Sequence, residues 1–215
     1  VSGHFYNWQE VTPGAKSLAN GIKEGYVNGG TGFLKKLTGS FAIAAYNEAT
    51  HSLKLVNDCS GFYPLFYYLD KDVCIFCTAI EPVTSYKKFD DTWDFTALAQ
   101  YTKAVSVFDD RTLFKHIKNL NPGSEVTISS EAKSEHRYDW LSVPIDWSKS
   151  PEKFAAEIAE TFHTVLQDRV KGQQNVGCNL TAGLDSRLIL SALSPGQRAQ
   201  IEFSTARVST LSETE

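Results

Sequence analysis

The sequence predicts an α+β fold: antiparallel sheets with helices, followed by the start of an α/β domain with a parallel sheet. Three observations carry this expectation. Up to about Trp140 the apolar residues form short β-like runs separated by Gly, Asn, Asp and Pro. After Asp146-Trp-Ser-Lys-Ser150 the hydrophobic period becomes helical, and the chain then reads as strand, helix, strand. The change of period places one domain over residues 1–145 and a second over 146–215.

In the first domain, residues 41–46, 52–56, 64–69, 73–78 and 124–128 read as strands, and hairpin connections make their sheet antiparallel. Residues 32–37 and 95–102 are the helical candidates there. In the second domain Ser150 can cap a helix and Pro151 suits its first turn. Phe154, Ile158, Phe162, Val165, Leu166 and Val170 follow helical spacing until Gly172 stops it. Strand 176–180, helix 184–193, a stop at Pro195-Gly196 and strand 199–205 complete a β-α-β unit. One such unit cannot bury both faces of a parallel sheet, so the second domain is expected to be cut short at Glu215. The chain holds no methionine and opens at Val1 inside a motif, from which a fragment or processed product is expected.

A hydrophobic content of 42% with 21% charged residues belongs to a soluble globular protein. The net charge of −4, with Lys and Arg dispersed, offers no basic stripe and excludes a nucleic-acid partner. Apolar runs such as Phe41-Ala-Ile-Ala-Ala-Tyr46 are too short to cross a bilayer, so no membrane partner and a cytoplasmic location are expected. Cys59, Cys74, Cys77 and Cys178 are too scattered for a disulfide framework or a two-pair zinc site. Cys74 and Cys77 have redox spacing, but three residues apart on a strand they face opposite ways and read as small buried hydrophobes. Asp58, Asp70 and Asp72 lie across a hairpin and its loop, where turn chemistry explains them better than a metal.

The segment most informative about chemistry is Asn175-Val-Gly-Cys-Asn-Leu-Thr-Ala-Gly-Leu-Asp-Ser-Arg-Leu-Ile-Leu-Ser-Ala-Leu193. Its loop, Thr181, Ala182, Gly183, Leu184, Asp185 and Ser186, joins a strand to a helix at the carboxyl end of the strand. Backbone amides at a helix start, approached closely where Gly183 lacks a side chain, suit a phosphate. Asp185 fits beside phosphate when a magnesium ion lies between them, which points to Mg-nucleotide. The competing reading is an ordinary turn with an Asp or Ser cap. Arg187 could reach the phosphates or could be a surface residue of the first helical turn.

No Gly-x-x-x-x-Gly-Lys-Ser/Thr and no Gly-x-Gly-x-x-Gly occurs in the chain. The loop instead resembles the Ser-Gly-Gly-x-Asp-Ser pyrophosphate loop of the ATP pyrophosphatases, with Thr181 for Ser and Ala182 for Gly. Thr181 keeps the hydroxyl, whereas Ala182 gives up the conformational freedom of a second glycine. In the first domain, Leu37-Thr-Gly-Ser-Phe-Ala-Ile-Ala-Ala-Tyr46, Leu53-Lys-Leu-Val-Asn-Asp-Cys-Ser-Gly-Phe-Tyr-Pro-Leu-Phe-Tyr67, Thr112-Leu-Phe-Lys-His-Ile-Lys-Asn-Leu-Asn-Pro-Gly123 and Arg137-Tyr138 follow in series, and together they resemble the asparagine synthetase family. Asn57 stands where that family usually has Arg. Ser2-Gly-His-Phe-Tyr-Asn7 resembles the family's Asn-Gly-Glu-Ile-Tyr-Asn, which helps hold glutamine; Gly3, Tyr6 and Asn7 match, and Gly3 is the substrate-binding residue this carries over.

The resemblance implies a glutaminase-type domain of N-terminal nucleophile hydrolase fold, followed by the beginning of an ATP-pyrophosphatase domain. It implies ATP and Mg2+ as cofactors, bound at Thr181, Ala182, Gly183, Leu184, Asp185 and Ser186, with Asp185 as the metal ligand. Aspartate or another carboxylate, and glutamine or ammonia, are the small-molecule partners implied, with a homodimer as the assembly. The implied reaction activates the carboxylate by adenylation and forms an amide, releasing AMP and pyrophosphate. In the family the glutaminase nucleophile is an N-terminal Cys whose own amine serves as base. Val1 cannot play that part, His4 replaces a Glu, and the acidic glutamine-binding motif is not visible around residues 27–32, so no catalytic residue is assigned. The chain by itself is expected to be inactive as a glutaminase. Two alternatives remain: an amide-forming enzyme resembling β-lactam synthetases or lasso-peptide cyclases, with a silent glutaminase-type domain, and a non-catalytic scaffold or regulatory homologue.

Overall fold

The computed structural model describes residues 1–71, 73–130, 132–138 and 146–205. The boundary expected at 145/146 abuts residues outside this description, and Asp72 is outside it. The chain divides into two compact units, Val1–Val143 and Pro144–Glu215.

In the first unit the elements are β1 (Ser2–Phe5), α1 (Trp8–Val11), α2 (Leu18–Leu34), β2 (Gly39–Asn47), β3 (Ser52–Asn57), β4 (Phe66–Leu69), β5 (Cys74–Cys77), α3 (Glu81–Thr84), α4 (Phe95–Ala104), β6 (Ile117–Asn119), β7 (Ser124–Ile128) and β8 (Lys133–Arg137). Every strand pairing among them is antiparallel, in a five-stranded sheet of order β1-β2-β3-β7-β8 and a three-stranded sheet of order β5-β4-β6. The α+β class with antiparallel sheets is therefore as the sequence predicts.

Alternation along the strands sorts the core into layers. Phe41, Ile43 and Val56 turn to one face of the large sheet and pack with Ile22, Phe33 and Leu34 of α2. Ala42, Leu55 and Val126 turn to the other face and meet Leu65, Tyr67 and Leu120. Tyr68 and Ile117, on the far side of the small sheet, pack with Val83 of α3. Helix, sheet, sheet and helix thus lie in succession. Cys74 and Cys77 are free thiols on the strand β5, as expected, but are half-buried and not the buried hydrophobes the sequence suggests.

One helix differs from expectation. The helical candidate at residues 32–37 is only the tail of α2, which begins at Leu18. Leu18, Ile22 and Tyr26 carry the signal, four residues apart, while glycines at 21, 25, 29, 30 and 32 dilute it. Packing explains the glycines better than propensity does. Gly30 leaves the helical region with φ +53°, breaking the helix, and the chain doubles back. A Cβ on Gly25 would lie 2.3 Å from the Phe33 ring.

The second unit contains α5 (Pro151–Val170), β9 (Gly177–Asn179), α6 (Leu184–Ser191), α7 (Pro195–Arg198) and β10 (Glu202–Ser204). Ser150 caps α5 by accepting from the Lys153 N–H, with Pro151 in the first turn. β9 and β10 pair in parallel, as a β-α-β unit demands. The stop expected at Pro195-Gly196 is instead a helical turn, because Ser194 and Gln197 form a reciprocal capping box. The Gln167 amide donates to the Ala192 carbonyl at 3.0 Å and so ties α5 to the end of α6.

Candidate functional site

The loop 181–186 leaves β9 at its carboxyl end and enters α6, whose N-cap is Gly183. Ser186 is buried and organises the loop. Its hydroxyl accepts from the Thr181 N–H at 3.1 Å and lies 3.2 Å and 3.3 Å from the Thr181 and Gly183 carbonyls; its single proton can serve one acceptor at a time. The Thr181 hydroxyl is 3.1 Å from the Ser186 hydroxyl and accepts from the Gly183 N–H at 3.1 Å. Thr181, Ala182, Gly183, Leu184 and Asp185 are exposed, while the Thr181 and Gly183 N–H groups are spent on the Ser186 and Thr181 hydroxyls, which leaves those of Ala182, Leu184 and Asp185 for a ligand.

Ala182 imposes no backbone strain. Positive φ among the described non-glycine residues occurs at His51, Val105, Asp109 and Asn175, and Gly183 itself has φ −67°. The second glycine of the pyrophosphate loop is thus not needed here for conformation. Asp185 stands in the first turn of α6 and is open to solvent. Among the described residues no group of three or more His, Cys, Asp or Glu side chains is arranged to hold a metal. A lone exposed carboxylate beside open amides fits a magnesium ion carried in on phosphate oxygens, since that ion is commonly held by one or two carboxylates and its substrate.

Arg187 is an exposed residue of the first turn of α6, as the second sequence reading has it, and its side chain folds back onto the loop. Its Nε donates to the Gly183 carbonyl at 3.2 Å and its Nη2 to the Ala182 carbonyl at 3.0 Å. The findable signal is the spacing: a side chain one turn beyond an N-cap reaches back over that cap.

In the first unit, Ser2, Gly3 and His4 lie on β1. Gly3 pairs with Phe41 and has φ +107°; a Cβ there would sit 2.3 Å from the Ser40 carbonyl oxygen. Close backbone approach therefore demands glycine at this position. Asn7 joins segments far apart in sequence, donating to the Lys36 carbonyl at 2.8 Å and accepting from the Thr38 N–H at 2.8 Å. Asn57 and Asp58 are both 1% exposed. Asn57 donates to the Leu120 carbonyl at 2.9 Å and accepts from the Ser124 N–H at 3.2 Å. Asp58 accepts from the backbone N–H groups of Phe41, Ser60, Phe62 and Tyr63 at 3.1, 2.9, 3.4 and 3.2 Å. These bonds account for Asp58 as a turn organiser.

The antiparallel layers and these buried turn contacts define a domain class, and comparison with known proteins identifies it. The glutamine amidotransferase domain family matches residues 3–139, and the chain belongs to that family. Asparagine synthetase (glutamine-hydrolyzing) 1 of Bacillus subtilis (strain 168) is 26% identical over 156 residues, covering 73% of this chain and 24% of the relative. Asparagine synthetase (glutamine-hydrolyzing) 2 of the same organism is 24% identical over 213 residues, covering 88% and 28%. The chain therefore spans about a quarter of the length of these curated relatives. Among solved structures, a glutamine phosphoribosylpyrophosphate amidotransferase from B. subtilis, complexed with ADP and GMP, matches with 12% identity and a TM-score of 0.42 over 94% of this chain and 44% of its own. That likeness is too loose to add to what the chain's own topology shows.

Proposed function

We propose that the protein works as an asparagine synthetase-like amidotransferase that activates a carboxylate with Mg-ATP and forms an amide. Aspartate is the default carboxylate substrate, supplying the acyl group, and ammonia or glutamine-derived nitrogen is the nucleophile that accepts it and displaces AMP. The observation that carries this reading is the open strand-to-helix loop, Thr181 to Ser186, in a chain whose first unit is a glutamine amidotransferase domain. The sequence likeness to asparagine synthetase 2 supports the pairing of the two parts. It covers 88% of the chain, more than the 143 of 215 residues in the first unit can supply.

In this reading, the N–H groups of Ala182, Leu184 and Asp185 would take the β and γ phosphates and Asp185 would hold magnesium, which when bound neutralises phosphate charge. Pyrophosphate so held is the departing group, leaving the α phosphorus to a carboxylate oxygen. Gly3, on β1, is the position carried over for glutamine binding. Incubation of the protein with Mg-ATP, aspartate and ammonium, followed by chromatography of the nucleotides, tests the reaction. AMP with asparagine is the expected outcome. ADP as the main product would remove the pyrophosphatase reading, and AMP formed only with a different carboxylate would replace asparagine synthesis with the cyclase-like alternative. His4, in place of the acidic residue of the glutamine motif, is what favours that alternative.

A further inference from the structure

We propose that Asn28 is a site of spontaneous covalent modification, where the side-chain amide is lost as ammonia and the residue becomes aspartate or isoaspartate. The chain holds two Asn-Gly pairs, Asn20-Gly21 and Asn28-Gly29, both in α2 and both with the asparagine exposed. Glycine after asparagine leaves ring closure unhindered, because no Cβ stands beside the attacking nitrogen. At Asn28 the Gly29 nitrogen, losing its proton to hydroxide, bonds to Cγ. The Cγ–N bond of the amide breaks, and ammonia leaves after taking a proton from water. Water then opens the succinimide at either carbonyl. Opening at Cγ gives aspartate; opening at the main-chain carbon gives isoaspartate, with the peptide running through the side chain. The sum is asparagine plus water giving either acid plus ammonia, with no oxidant, enzyme or cofactor required.

Ring closure demands that the asparagine leave helical ψ, so the fold decides which pair reacts. Asn28 and Gly29 are the last residues of helical backbone before Gly30 breaks α2 at φ +53°. Val27, Asn28 and Gly29 are exposed, and a Cβ on Gly30 would meet nothing within 4 Å. Unwinding this end therefore uncovers no core and meets no obstacle. Asn20-Gly21 lies in the first turn instead. The Gly21 N–H donates to the Ser17 carbonyl at 2.9 Å, Gly21 is buried, and a Cβ on it would lie 2.5 Å from the Thr12 hydroxyl. Its neighbour Ile22 is 1% exposed. Opening that pair means withdrawing α2 from the core, whereas opening at the break is a local event. Reaction at Asn28 also has a consequence for packing. The product carries a new carboxylate at the C-terminal end of the helical run, against the dipole. Isoaspartate further lengthens the main chain between the core residues Ile22 and Phe33.

The full chain, aged in mildly alkaline buffer and compared with an unaged sample, is the test object. Trypsin cleavage after Lys16, Lys23 and Lys35 puts the two pairs on separate peptides, 17–23 and 24–35. Mass spectrometry should show the folded protein converting peptide 24–35 about ten-fold faster than 17–23, while the urea-unfolded chain converts both at similar rates. Equal rates in the folded protein, faster conversion at Asn20, or no conversion at Asn28 overturns the proposal. Asn28→Gln, whose longer side chain would have to close a six-membered ring, should leave peptide 24–35 unconverted. On ageing, the melting temperature of the parent should fall and that of Asn28→Gln should hold. A parent that converts at Asn28 without melting lower overturns the link from this site to the core.

Discussion

Asp58 shows how much one buried carboxylate can organise. It gathers the N–H groups of Ser60, Phe62 and Tyr63 in its own turn and that of Phe41 in β2. Asp58→Asn keeps the shape but replaces one acceptor oxygen with a donor facing donors. We expect a loss of about 2 kcal/mol, the scale of a hydrogen bond to a charged group, read as a shift of the urea midpoint at constant slope. Asp185→Asn is the opposite kind of change. The residue is exposed and does not cap α6, so the melting temperature should stay within the range of a weak helix-dipole effect, about 0.3–1 kcal/mol. Mg-ATP affinity should nonetheless fall by roughly ten-fold, the loss of one ligand to a metal on phosphate. Equal affinity in mutant and parent would leave Asp185 with only an ordinary helix-start role.

At the scale of an element, α4 is held at both ends by features that can be tested separately. Asp94 caps it by accepting from the Ala97 N–H at 3.0 Å and meets the Arg111 guanidinium at 2.6 Å. Burial alone would raise the Asp94 pKa, but the Ala97 N–H and Arg111 outweigh it and hold the carboxyl below its usual range. Asp94→Ala should cost about 1–2 kcal/mol at neutral pH, as for an N-cap, and the penalty should shrink as pH falls through the folded pKa. A penalty unchanged at pH 3 would show that charge is not involved. At the other end Val105 ends the helix in the left-handed region, φ +52°, with its side chain 78% exposed. Little packing is lost by removing it, and a β-branched residue is strained there. Val105→Gly should therefore stabilise by about 1 kcal/mol after glycine's own entropy cost, visible as a higher melting temperature. A lower one would show that the Val105 side chain contributes more than its exposure suggests.

Across the whole molecule, ionisable groups bound stability on both sides of neutrality. Hydrogen bonds from Thr92 to Asp90, from Ser148 to Asp146, and from its own backbone N–H and Ser150 to Glu152 hold these carboxyls low, alongside Asp94. Their contribution is complete above the ordinary carboxylate pKa, about 4, and is lost as pH falls through the lower folded values. On the alkaline side burial raises Tyr26, Tyr67 and Cys74, the thiol to about 11. Their contribution is complete below the unfolded values, 9.0 for the thiol and 10.0 for the phenols, and declines as pH rises beyond them. Melting followed by circular dichroism should show a plateau from about pH 5 to pH 8, with loss below about 4 and above about 9. A steady slope through the plateau would mean that other groups dominate.

What the sequence by itself determined is what short-range rules encode. Alternation placed β2, β3 and β7; Ser150 with Pro151 started α5; and the strand-helix-strand order put Thr181 to Ser186 at a strand's carboxyl end. Periodicity and caps act over a few residues, so they can be read without coordinates. The tertiary structure decided what depends on approach between distant segments. Gly3 must be glycine because β1 lies against the Ser40 carbonyl, and Gly25 leaves room for the Phe33 ring, brought back by the break at Gly30. Asp58 became an organiser of β2 as well as of its own turn through an N–H seventeen positions away in Phe41. Arg187 could be placed over the loop carbonyls only from side-chain torsions, which no hydrophobic pattern specifies.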